Sequence, residues 1–147
     1  MEDKEVNEAK NVQGVILETL AKNNVIAIAS TGGKYSPWIL QAYFASKDME
    51  LYLFLEKSGK THQNISVNDN IAISISENDA MKDFLQGYGK IEIMPDDKDD
   101  MVRQMLVSKM PWYQTYTPVS PVRIKVVKFF ISSFSRGWFP AKELENA

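Results

Sequence analysis

The sequence predicts a mainly β protein, a β-barrel of six antiparallel strands with flanking helices. Three observations predict it. Short apolar runs, several with a period of two, recur between Val25 and Ser133. Most are joined by turns too short to hold a crossover, so consecutive strands pair antiparallel. Two stretches with helical spacing flank them, one at the start and one before the last strand, and cover the barrel from outside.

Each element follows in order. From about Lys4 to Ala21, Ala9, Val12, Val15, Ile16 and Leu20 recur at spacings of three and four, one apolar helical stripe. Asn23-Asn24 breaks it, and Val25 to Ser30 is a buried strand. Thr31-Gly32-Gly33-Lys34 is expected to be a tight hairpin turn, because paired glycines supply positive φ angles. The second strand runs from about Pro37 to Ala45, Ser46-Lys47-Asp48 turns the chain, and Leu51 to Leu55 is the third strand. Ser58 to Ser66 forms a short polar helix or turn. In the fourth strand, Asn70 to Ser76, three isoleucines alternate with small residues, so one face meets a core. The fifth spans about Phe84 to Met94, with Leu85, Gly87, Gly89, Ile91 and Ile93 on one face. Two glycines on one strand face predict a bend or a close approach of another backbone or a ligand. Pro95 and the acidic run after it open a helix whose stripe is Met101, Val102, Met105 and Leu106. A proline-broken segment follows, and the last strand covers about Val122 to Ser133.

Composition bounds the function. The 147 residues fit one domain, 1–147, and 44% hydrophobic with 24% charged residues is the ordinary globular balance. A net charge of −2 gives no general attraction to nucleic acid or to an anionic membrane, so any bound anion must be held by local donors. The absence of cysteine excludes disulfides, thiolate nucleophiles and most zinc sites. MEDKEVNEAK is acidic and polar, unlike a secretory signal. No apolar run approaches the ~20 residues of a membrane helix. The expectation is a cytoplasmic protein.

The sharpest chemical signal is Glu-Lys-Ser-Gly-Lys-Thr-His-Gln-Asn, residues 56–64. Ser58 reads as a helix N-cap, Gly59 leaves backbone amides uncovered, Lys60 is a cation and Thr61 a second hydroxyl. Together with a helix dipole, these are what a dianionic phosphate requires; the alternative is a capped surface helix with a solvated lysine. Gly59-Lys60-Thr61 is not a P-loop, because Phe54 stands where that motif needs its first glycine and no βαβ pattern surrounds it.

The segment Ser-x-Lys-x-His-Gln after an aromatic strand resembles the phosphate-binding segment of the pyridoxamine 5′-phosphate oxidase-like family of FMN-binding split barrels. The strand series is similar as well: IAIAST-GG, WILQAYF, LYLFL, the SGKTHQN corner, NIAISIS and GYGKIEI, covering roughly Asn11 to Met94. The resemblance implies a six-stranded antiparallel split barrel of the FMN-binding type. It implies that Ser58 and Lys60 bind the FMN phosphate, with Gly59 and Thr61 in close contact. Trp38, Ile39, Leu40, Gln41 and Tyr43 would lie along the isoalloxazine and offer main-chain groups to its polar edge. Leu53 and Phe54 would form another flavin-contacting stretch, and Phe84 or Gln86 would come from the neighbouring subunit of a homodimer that holds the flavin at its interface.

This chain also departs from the family pattern. In pyridoxamine phosphate oxidases an arginine opens the second-strand motif and a lysine closes it; here Trp38 and Tyr43 stand there. Gly59 replaces a second basic phosphate contact, and Phe84 aligns with the interface glutamine. Each charge-assisted contact contributes roughly 1.5–3 kcal/mol, so modest FMN affinity is expected. No arginine-rich C-terminal motif for a vitamin substrate is present, and vitamin B6 oxidation is not expected. A flavin reductase-like, deazaflavin-using or haem-related protein fits the shorter chain.

Other motifs have plain readings. His62, the only histidine, lacks partner ligands for a metal and reads as a surface residue. Asp96-Asp97-Lys98-Asp99-Asp100 lacks the glycine and distal glutamate of a calcium loop and instead favours a helix dipole. Met101, Met105, Met110, Trp112, Tyr113 and Tyr116 either fill a core or roof a planar ligand. Trp138, within Arg136–Pro140, either stacks on a ligand or seals the barrel, with a contact role favoured. The leading expectation is an FMN-dependent oxidoreductase passing a hydride between a small reductant, NAD(P)H among the candidates, and the flavin, with Gln41 or Tyr43 tuning the ring. The alternatives are a non-catalytic flavin- or haem-binding protein and a barrel with a degenerate site that serves as an interaction module.

Overall fold

The computed structural model describes residues 2–146. Helix α1 (Glu2–Lys22) leads into β1 (Val25–Ser30), β2 (Trp38–Tyr43), β3 (Ala45–Lys47) and β4 (Glu50–Glu56). Helix α2 (Lys60–Val67), β5 (Asn70–Ile75) and β6 (Phe84–Ile93) follow. A 3-10 turn (Asp96–Lys98) opens α3 (Asp99–Lys109), and β7 (Val119–Ser133) and β8 (Trp138–Glu145) close the chain. No helix among the described residues is long and apolar enough to cross a membrane.

All strand pairs are antiparallel, in the order β2-β1-β5-β6-β7-β4-β3, with β8 also on β7. Strands β2 and β3 lie at opposite ends of this order, yet only Phe44 separates them in sequence. The sheet must therefore curl until its ends meet. Phe44 is fully buried at the closure, and its N–H donates to Asn24 O at 3.0 Å. The six expected strands become eight: the second divides at Phe44, and β8 is added. Strand β7 starts three residues early, since Val119 already pairs with Glu56.

Apolar side chains of α1, including Ile16 and Leu20, enter the barrel core beside Ile26, Ile28, Leu51, Leu53, Leu85 and Phe129. A smaller cluster lies under α3, where Phe54, Met94, Val102, Leu106 and Met110 pack together; Met101 of the expected stripe is instead exposed. The expected tight turn at Gly32-Gly33 is a seven-residue loop, 31–37, since Ser30 pairs with Trp38. Gly32 does take a positive φ of 99°, while Gly33 serves a close approach: a Cβ there would overlap the Asn64 side chain. Asn64 is buried and donates to Tyr35 O (2.8 Å) and Ser30 Oγ (3.2 Å), pinning this loop against α2.

Lys109 ties three elements together. Its ammonium donates to Asn23 O at 2.5 Å and to Leu20 O and Phe44 O at 3.2 Å, joining α3 to the end of α1 and to the β2–β3 closure. A cation there also complements the α1 C-terminus. Burial pushes its pKa down to about 8 from 10.5, so it remains mostly charged at neutral pH. Because the folded state releases this proton before the unfolded one does, the Lys109 contribution to stability rises between about pH 8 and 10.5. The difference in Tm between the native protein and Lys109→Met is expected to grow in the native protein's favour across that window. A flat difference would show that Lys109 titrates normally.

Candidate functional site

The free edge of β2 forms one wall of a cavity of about 440 Å³. As the last strand in the order, β2 pairs only with β1, so its other side presents main-chain donors and acceptors without ladder partners. Trp38, Leu40, Gln41 and Tyr43 line the cavity from this strand. The end of β4 adds Phe54 and Glu56, and the corner into α2 adds Gly59, Lys60, Thr61 and His62. The segment after α3 closes the far side with residues 113–117.

The corner has a definite geometry. The first helical bond runs from Gln63 N–H to Gly59 O at 3.2 Å, so the amides of Lys60, Thr61 and His62 precede it and have no intrahelical acceptor. Gly59, with extended φ and ψ of −77° and 159°, is the N-cap, and no side chain caps the helix. The expected Ser58 cap is therefore corrected: Ser58 sits one residue too early, exposed in the preceding turn. The side chain of Thr61 is 3% exposed and its hydroxyl has no hydrogen-bond partner. An unpaired buried hydroxyl costs roughly 1–3 kcal/mol, so an acceptor placed in the cavity would relieve a defect of the free protein. The Lys60 ammonium lies 5.0 Å from the Tyr35 ring centroid and 5.3 Å from that of Trp38, and forms no ion pair among the described residues.

His62 departs from its surface reading. It is half-buried in the cavity wall, with Nε2 3.2 Å from Ser120 Oγ on β7. The 58-residue separation of the pair hides it from any local pattern. The aromatic segment divides its roles: Met110 is core, whereas Tyr113 and Tyr116 line the cavity. Tyr113 stacks on Phe54 (6.3 Å, 14°), and burial raises its hydroxyl pKa, keeping it a proton donor at neutral pH. Arg103 lies 4.6 Å over Phe54, pairs with Asp99 at 2.9 and 3.0 Å and donates to Thr115 Oγ1 at 3.1 Å, fixing this wall.

The remaining sequence-derived positions lie elsewhere. Ile39 is exposed on β2 outside the cavity lining, and Leu53 is buried in the barrel core. Phe84 and Gln86 line a separate cleft of about 310 Å³ with Ser74, Ser76, Asn78 and Asp79. Trp138 packs against the main core, outside the lining of the cavity beside β2. That arrangement fits the sealing role rather than the favoured contact role.

No protein-family model and no curated protein matches the chain. Solved structures do. ChuZ of Campylobacter jejuni superposes with a TM-score of 0.78 at 16% identity, over 93% of this chain and 60% of that one. A haem-binding protein of Mycobacterium smegmatis gives 0.68 at 16%, over 86% of this chain and 55% of that one. A pyridoxamine 5′-phosphate oxidase-like protein of Listeria innocua gives 0.66 at 19%, over 80% and 95%. The chain thus spans little more than half of the first two proteins and nearly all of the third. At such identities the likeness shows the fold alone: the chain shares the split-barrel fold of these solved structures.

Proposed function

We propose that the cavity binds FMN and that the protein is a flavin-dependent oxidoreductase working as a homodimer. The observation that carries this reading is the corner at Gly59: three free amides, the Lys60 ammonium and the orphaned Thr61 hydroxyl converge where a terminal phosphate would sit. The unpaired edge of β2 offers both donors and acceptors to a heteroaromatic ring, as the polar edge of an isoalloxazine needs. The bound flavin would supply the electron transfer, while the chain binds, orients and screens it from water.

The dimer is supported by the outer face of the sheet. Cross-strand partners share a face, and the pairs Ala29–Ile39, Ala27–Gln41, Ala27–Ser74, Ala29–Ala72, Ser74–Gln86 and Ala72–Tyr88 form an uncharged patch across β2, β1, β5 and β6, bounded on β6 by Lys90, the partner of Asn70. A water-facing sheet normally carries charges, and a second copy is the natural cover for this one. Gln41 belongs to the cavity beside β2 and Ser74 and Gln86 to the other cleft, so the face lies between them. A two-fold contact across it would bring the cleft of one protomer toward the cavity of the other.

Purified protein is expected to take up FMN stoichiometrically, with a visible flavin spectrum that bleaches on addition of NADH, NADPH or dithionite. A chain that ignores added FMN but takes up haemin would favour the haem-binding alternative. The mass in solution is expected to be twice that of one chain, and Ala72→Arg is expected to give monomers with weaker flavin binding. A dimer unaffected by Ala72→Arg would remove this face from the interface.

A further inference from the structure

We infer that the mouth of the cavity selects a planar aromatic substrate whose ring bears no anionic substituent, as the nicotinamide ring does not, an inference that rests on the flavin reading above. The first ground is the wall itself. Trp112 meets Tyr43 edge-on at 4.8 Å, Tyr43 meets Tyr113 at 6.2 Å, and Tyr113 stacks on Phe54 at 6.3 Å. Four rings thus form one continuous surface. Tyr43, Phe54 and Tyr113 of this surface line the cavity, Trp112 (56% exposed) extends it outside the lining, and Tyr116, 83% exposed, lines the cavity beside it.

The second ground is charge. Lys60 is committed to the phosphate. Arg103, the cation of the opposite wall, lies behind Phe54 with Nε and Nη2 on Asp99 and Nη1 on Thr115. Neither is left to neutralise an anionic substrate. Glu56 lines the same cavity and forms no ion pair among the described residues. Lys34, 5.6 Å from the Tyr35 ring centroid, stands outside the lining, so with a flavin phosphate in place no free cation among the described lining residues balances a second anion.

The third ground is the kind of polar contact offered. Gln114 Nε2 donates to the Tyr116 hydroxyl at 2.8 Å, which leaves the phenolic proton free to point outward. Thr115 and Thr117 line the same wall. Neutral donors around an aromatic slot suit a ring bearing a carbonyl, hydroxyl or other uncharged acceptor.

The test compares two probes with the same ring system, 2-naphthol and naphthalene-2-sulfonate, titrated into the FMN-loaded protein and followed by tryptophan fluorescence and by the shift of the flavin band. Naphthol is expected to bind at least tenfold more tightly. At saturating FMN, Tyr113→Ala is expected to weaken naphthol severalfold. Glu56→Lys is expected to narrow or reverse the preference, which separates charge from simple hydrophobicity. Equal binding of the two probes, tighter binding of the sulfonate, or a preference unmoved by Glu56→Lys overturns the inference while leaving the flavin assignment intact. A chain that takes up no FMN overturns both.

Discussion

Replacing Lys60 by alanine is expected to weaken FMN binding by tenfold or more. Among the described residues that line the cavity it is the only cation, and no carboxylate holds it elsewhere. In the ligand-free chain its ammonium rests between the Tyr35 and Trp38 rings, an arrangement that a phosphate dianion would out-compete. A hydrogen bond to a charged group contributes about 1.5–3 kcal/mol, which corresponds to the tenfold loss and more. Thr61→Val is its complement. Removing the orphaned hydroxyl is expected to raise the stability of the free protein by about 1 kcal/mol, because a buried donor no longer lacks a partner. The same change is expected to lower FMN affinity, because the ligand loses its acceptance of that donor. Flavin fluorescence quenching gives the affinities, and thermal melts without FMN give the stability. Unchanged affinity in Lys60→Ala would remove the phosphate from this corner.

The elements legible in the sequence are those whose signal is local. Alternation in Asn70 to Ile75 and in Phe84 to Ile93 identifies β5 and β6, because one face of each meets the core at every second residue. The corner at 56–64 is legible because a glycine, a lysine and a threonine in one helical turn form a compact pattern. What the sequence hides is set by distant partners. Residues 37–45 read as one strand, but the break at Phe44 arises where the chain passes from one end of the curled sheet to the other. Residues 141–145, Ala-Lys-Glu-Leu-Glu, are good helix formers, and only pairing with Lys128 to Ile131 of β7 makes them strand. Ser58 is the better capping residue by type, yet the extended backbone falls on Gly59. The wall at 113–117 belongs to the site because Arg103 and Phe54 hold it there, a contact no spacing rule reveals.

Two glycine substitutions with the same chemistry are expected to have opposite signs, and the larger tests the fold most directly. Gly89 lies on β6 where the register with β7 shifts: Tyr88 faces Lys128 but Gly89 faces Val126, leaving Val127 as the extra residue. A Cβ at Gly89 would overlap Lys125 O and stand 2.8 Å from Val126 Cα. These are backbone atoms of a paired strand, so no side chain can rotate to make room. Overpacking a core typically costs 1–3 kcal/mol, and a clash with backbone belongs at or above the top of that range. Gly89→Ala is thus expected to lose about 3 kcal/mol or more and to lower Tm by roughly 6–12 °C for a chain of this length. Gly14, in the middle of α1, has no atom within 4 Å of its would-be Cβ. There alanine removes only the conformational freedom that glycine adds to the unfolded chain, and Gly14→Ala is expected to gain about 0.5–1 kcal/mol. Paired melts of the two variants make the comparison independent of any ligand. If Gly89→Ala melted with the native protein, β6 and β7 could not approach at this bulge as described. The curl that brings the β2 edge beside the Gly59 corner would then need another origin.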